Sequence, residues 1–95
     1  METQRFSVLL KLIAHPERLA ILLSLLNGDG SIHELAQTLN LPPSAVSNHL
    51  NKLRSEGVVD YIRYHRVLEY RLTSTEAATI LRTLRKLQGQ TAQPA

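Results

Sequence analysis

The chain has 95 residues, 43% of them apolar, and a formal charge of +3 with its four histidines counted neutral. That length supports one compact domain, near the size where oligomerisation commonly adds stability, and the positive balance suits a polyanionic partner. The absence of cysteine excludes disulfides, thiolate metal sites, thiol nucleophiles and persulfide or peroxide sensing through cysteine.

With one Phe, three Tyr and no Trp, the core must come from Leu, Ile, Val and Ala, a supply that favours helices over a sandwich. Phe6, Leu9, Leu10 and Ile13 repeat at helical spacing and predict a first helix ending near His15, where Pro16 forces the preceding residue into an extended conformation. Pro16 then suits the first turn of a second helix, which runs to about Leu26 and stops at the turn cluster Asn27-Gly28-Asp29-Gly30. Ser31-Ile32-His33-Glu34 has the form of a capping box opening a third helix, whose inward face is Ile32, Leu35, Ala36 and Leu39.

Pro43 fits the first position of a fourth helix reaching Glu56, with Pro42 at the cap. Projection at about 100° per residue puts Ser44, Ser47, Asn48, Asn51 and Ser55 on one face of it, and Val46, His49, Leu50 and Leu53 on the other. A surface helix normally dresses its polar face in Lys and Glu, whereas short Ser and Asn side chains suit close approach to the floor of a DNA groove. Two short helices in this relation make a helix-turn-helix.

Gly57 stops the fourth helix, and β-branched and aromatic residues then predict two strands, Val58 to Arg63 and Val67 to Leu72, with Tyr64-His65-Arg66 as the hairpin tip. This hairpin is a wing, and Arg63, His65 and Arg66 are placed to reach phosphate or a minor groove from it. Lys52 and Arg18 are further candidates for phosphate contact, against ordinary surface pairing. Thr73-Ser74-Thr75-Glu76 offers a second capping box, and Ala77, Ile80, Leu81, Leu84 and Leu87 form the apolar stripe of a last helix, with a loose tail from Gly89. The expected organisation is one winged helix-turn-helix domain over residues 1–90 and a flexible tail over 91–95.

The apolar runs are too short or too interrupted to span a bilayer, and Met1 to Arg5 does not read as a signal peptide, so a cytoplasmic protein without membrane association is expected. There is no glycine-rich phosphate loop, nucleophile elbow or acidic pair, which argues against an enzyme, and no cofactor is expected. His15, His33, His49 and His65 fall in four separate elements without metal-ligand spacing. His49, on the apolar side of its helix, reads as a hydrogen-bonded packing residue.

Two stretches are similar to patterns of the ArsR/SmtB winged-helix repressors of bacteria. Ala14-His15-Pro16-Glu17-Arg18-Leu19-Ala20-Ile21-Leu22 resembles that family's early A-H/D-P-x-R-x-x-I-L pattern, and Val46-Ser47-Asn48-His49-Leu50 through Gly57-Val58-Val59 resembles its V-S-x-H-L-x-x-L-x-x-x-G-L-V signature. The resemblance implies a mainly α fold of order α-α-α-α-β-β-α and a homodimer built from the first and last helices, here Phe6, Leu9, Leu10, Ile13, Ile80, Leu81, Leu84 and Leu87. It also implies repression through a palindromic double-stranded DNA operator, with base contacts from Pro43, Ser44, Ser47 and Asn48. Asn51, Lys52 and the wing residues complete the expected interface. The alternative is a winged-helix protein-interaction module without specific DNA binding.

Metal sensing does not carry over. Where family members place a Cys-x-Cys pair, Ser31, Ile32 and His33 stand here, and the positions of the last-helix zinc ligands hold Ser74, Glu76, Leu87 and Gln90. The inducer is therefore left open.

Overall fold

The computed structural model describes residues 2–91. They form α1 (Glu2–Ile13), α2 (Pro16–Asn27), α3 (Ile32–Leu39), α4 (Pro43–Ser55), the antiparallel strands β1 (Val59–Tyr64) and β2 (Val67–Leu72), and α5 (Thr75–Thr91). This is the expected winged order. Among the described residues no helix is long and apolar enough to cross a membrane.

Pro16 opens α2, and His15 before it is extended, with φ −72° and ψ 126°, as a residue preceding proline must be. The His15 ring also caps the helix: its Nδ1 accepts the Glu17 amide at 3.2 Å. Arg18 Nε donates to the Leu12 carbonyl at 2.7 Å and so closes the end of α1. Ser31 and Glu34 form the expected reciprocal capping box on α3, at 3.0 and 3.1 Å.

Ile21 and Leu22 of α2, Val46, Leu50 and Leu53 of α4, Val59 of β1 and Leu81 of α5 are each less than 2% exposed and form the centre of the core. Burying one such side chain contributes roughly 1.5–3 kcal/mol. Pro42 gives α4 no side-chain cap, a loss of about 1 kcal/mol. Three buried anchors outweigh it, so packing and not capping places this helix.

The end of α4 is a Schellman turn. Gly57 has φ +77°, its amide donates to Arg54 O at 3.0 Å, and the Val58 amide donates to Leu53 O at 3.0 Å. Val58 and Leu53 are both buried, giving the apolar contact that usually accompanies this turn. The chain thereby leaves the helix in a set direction and enters the hairpin.

Tyr64 pairs with Val67, so the tip is the two-residue loop His65-Arg66 and Tyr64 belongs to the strand; the first strand likewise begins at Val59 and not at Val58. His65 takes the positive φ, 58°, that a tight hairpin loop demands. On the outer edge of β2, Tyr70 exchanges two backbone hydrogen bonds with Gly30, at 3.0 and 2.7 Å. Its N–H and C=O therefore point away from β1, which makes Tyr61 and Tyr70 a non-hydrogen-bonded pair with closely spaced side chains. Their rings meet edge-on at 5.4 Å.

Two expectations for α5 are corrected. Its cap is Ser74, whose Oγ accepts the Ala77 amide at 3.1 Å; Thr73 is held one residue earlier in the extension of the hairpin, its amide donating to the Val58 carbonyl at 3.0 Å and its hydroxyl to the Gly57 carbonyl at 3.2 Å. The helix also runs through Gly89 to Thr91; one glycine costs about 1 kcal/mol in a helix, which does not end a run flanked by Leu87, Gln88 and Gln90. Of the expected tail, residues 92–95 lie outside the described residues.

Ser31→Ala removes one half of a capping box at a buried position, 7% exposed. It is expected to lower unfolding free energy by about 1 kcal/mol, measurable by urea titration followed by circular dichroism.

Candidate nucleic-acid interface

Because Val46, Leu50 and Leu53 enter the core, helical geometry turns the opposite face of α4 outward. Pro43, Ser44, Asn48, Asn51 and Lys52 are exposed and Ser47 is half-buried. Ser55 turns back on its own helix, its Oγ donating to the Lys52 carbonyl at 2.7 Å. Lys52 Nζ lies 3.9 Å from Glu56, a solvated pairing that leaves the ammonium accessible.

His49 lies on the margin between the two faces and is committed inward. Its Nε2 is 2.9 Å from Glu17 Oε1, and its ring sits 4.7 Å from that of His15. The packing role expected for it is the one the structure shows. Arg18, a phosphate candidate weighed against ordinary pairing, is tied by its Nε bond to α1 and its partial burial to the α1–α2 junction.

The wing carries Arg63, His65 and Arg66, all exposed. The face of the hairpin turned from the core also presents Ile62, Tyr64 and Val67, at 46%, 66% and 49% exposure. This apolar strip was missed in the sequence reading, although strand alternation from buried Val59 through Tyr61 assigns Ile62 and Tyr64 to the outer side.

Arg54 is a second residue whose role charge alone misstates. Its Nε donates to Asp60 Oδ1 at 2.8 Å, the Tyr61 amide donates to the same oxygen at 2.8 Å, and the guanidinium lies over the Tyr61 ring at 4.4 Å. The Arg54 bond, then the Tyr61 amide, hold the Asp60 carboxyl below its ordinary value. Burial pushes the Tyr70 hydroxyl beyond the strand upward.

The apolar candidates on the terminal helices separate into two sets. Ile13 and Leu81, 3% and 0% exposed, belong to the protomer's own core and are not available to a partner. Leu9 and Ile80 are half-buried against that core. Phe6, Leu10, Leu84 and Leu87 are open to solvent, at 39%, 51%, 36% and 49%. Phe6 and Leu10 of α1 and Thr79 and Ile80 of α5 line one groove, so the two helices present a joint surface. At one side of it the guanidinium of Arg5 of α1 lies 2.9 Å from Glu76 of α5, an exposed pairing. The carboxyl of Glu76 is held below its ordinary value by its own backbone amide and by Arg5.

Among the described residues, no group of three or more His, Cys, Asp or Glu is placed to hold a metal ion. What the molecule does present is a row of short hydrogen-bonding side chains on a convex helix, a cationic hairpin tip beside it in sequence, and a separate apolar face.

Residues 15–61 match the family model described as bacterial regulatory protein, arsR family. The chain is 40% identical over 86 residues to the transcriptional activator HlyU of Vibrio cholerae, covering 90% of this chain and 80% of that protein. The solved structure of reduced HlyU from Vibrio cholerae superposes with a TM-score of 0.87 at 37% identity, covering 90% of each chain. That of the transcriptional repressor BigR from Xylella fastidiosa gives 0.84 at 30% identity, covering 99% of this chain and 93% of that one.

Proposed function

The chain belongs to the arsR family of bacterial regulatory proteins and is a DNA-binding transcriptional regulator; we propose that it works as a homodimeric repressor of a palindromic operator. The observation that carries this reading is α4, pinned by three buried side chains so that Ser44, Ser47, Asn48 and Asn51 form a convex polar row. A helix of that shape fits the major groove, where Asn and Ser discriminate base edges.

The apolar surface shared by α1 and α5 supports self-association. Phe6, Leu10, Leu84 and Leu87 are large side chains left in water, and a two-fold axis through this face buries them while setting two reading helices toward adjacent half-sites. Repression asks for no surface beyond these two, because a dimer seated on promoter DNA obstructs transcription by occupancy. The relatives named above include both an activator and a repressor, and the position of the operator relative to the promoter decides the sign.

Within this reading, Pro43, Ser44, Ser47, Asn48 and Asn51 contact the groove, Lys52 meets phosphate, and Arg63, His65 and Arg66 supply affinity from the wing. The chain has no cysteine, and its operator binding is proposed to answer neither to a metal ion nor to thiol oxidation.

Leu84→Glu places a carboxylate on the apolar face and is expected to lower both dimer content, by sedimentation, and DNA affinity. A wild-type monomer at micromolar concentration contradicts the dimer. Asn48→Ala is expected to cost on the order of 1–3 kcal/mol on the operator with little effect on scrambled duplex, whereas Arg66→Ala weakens both and reduces the salt slope by about one unit. Equal losses on both duplexes for Asn48→Ala would remove that residue from the reading set. Chelators and peroxide are expected to leave operator affinity unchanged in mobility-shift titrations; stoichiometric zinc binding that releases DNA contradicts this.

A further inference from the structure

We propose that Arg54 and Asp60, clasped over the ring of Tyr61, hold the wing at a fixed angle to the reading helix and act as positioning residues for DNA contact. The proposal rests on the reading of the wing given above.

The joint between α4 and β1 is short: it spans Glu56 to Val58. Val58 is buried, but Glu56 and Gly57 are exposed, and a Cβ at Gly57 would meet nothing within 4 Å. The Schellman turn sets the direction in which the chain leaves the helix, but the outer side of the joint has no packing of its own at Gly57. Arg54 in the last turn of α4 reaches across it to the second residue of β1.

Three contacts converge on this point. Asp60 Oδ1 receives both Arg54 Nε and the Tyr61 amide at 2.8 Å, and the guanidinium covers the Tyr61 ring at 4.4 Å. The ring of Tyr61 also meets that of Tyr70 at 5.4 Å and 67°. Tyr70 is itself 3% exposed and bonded twice to Gly30. The clasp therefore connects the end of α4, through the base of the wing, to the buried part of the domain. An isolated exposed ion pair contributes little to stability; one guanidinium engaged by a carboxylate and an aromatic face at once fixes an orientation.

The charge pattern points the same way. Asp60 is an exposed acid in a segment that also holds Lys52, Arg63, Arg66 and Arg71. An acid among cations that meet a polyanion lowers affinity by its charge alone. Its bond to Arg54, which also raises the Arg54 pKa, gives the acid a positioning purpose and commits that cation to the joint instead of to phosphate.

The test uses Asp60→Ala and Arg54→Lys in the full chain, titrated against operator and scrambled duplex at fixed ionic strength. Asp60→Ala removes a negative charge and Arg54→Lys keeps a positive one, so charge alone raises affinity in the first and leaves it unchanged in the second. The clasp instead lowers affinity in both, by about threefold. A rise or no change in either variant overturns the proposal. Backbone 15N relaxation on the free proteins reads the same clasp without DNA: wing amides from Ile62 to Val67 gain mobility in both variants while α4 does not. Wing amides as ordered as in the wild type overturn the clasp, whereas a wild type whose wing is ordered but whose Arg66→Ala form binds DNA unchanged overturns the wing reading beneath it.

Discussion

The proposed interface depends on the burial of one side of one helix. Val46, Leu50 and Leu53 are each 0% exposed, and their descent into the core leaves α4 a single rotational setting. Ser44, Asn48 and Asn51 come to the surface as a consequence and need no local feature to hold them there. Leu53 serves the same purpose twice, because its carbonyl accepts the Val58 amide that ends the helix and launches the hairpin. The reading face and the root of the wing are thus consequences of one packed seam.

The allocation of cations follows from that geometry. Arg18 is spent on the α1–α2 corner, Arg5 on the α1–α5 contact and Arg54 on the joint before the wing. Lys52 on α4, Arg63 on β1 and Arg66 at the hairpin tip stay exposed. A net charge of +3 therefore describes the surface proposed to meet DNA poorly. What matters is which basic groups are left over once the fold has satisfied its own carbonyls and carboxylates, and where those are mounted.

Much of this was legible in the sequence, and the exceptions share a physical origin. The capping box at Ser31, the turn at Gly57, the inward role of His49 and the polar row on α4 are local patterns that survive folding unchanged. The cap of α5 is not local. Thr73 and Ser74 are both competent caps, and the choice between them follows from the pairing of Thr73 with Val58 and Gly57, distant in sequence, which keeps Thr73 in the hairpin. Periodicity likewise places Leu81 and Leu84 on one stripe, but only the packing of α5 on the core separates 0% exposure at Leu81 from 36% at Leu84. Arg54 reads as one more cation until its partner, six residues on, is brought beside it by the reversal of the chain.

The paired bonds between Gly30 and Tyr70 have a consequence for how the molecule tolerates company. A two-stranded ribbon has two open edges, and an unsatisfied edge is a template on which a strand from another chain can add. Gly30 occupies the N–H and C=O of Tyr70 near the middle of β2, then turns at once into the cap of α3. The edge is divided into pieces too short to recruit a continuous foreign strand. A single glycine in a turn thereby interrupts the β2 edge as a template for continuous strand addition.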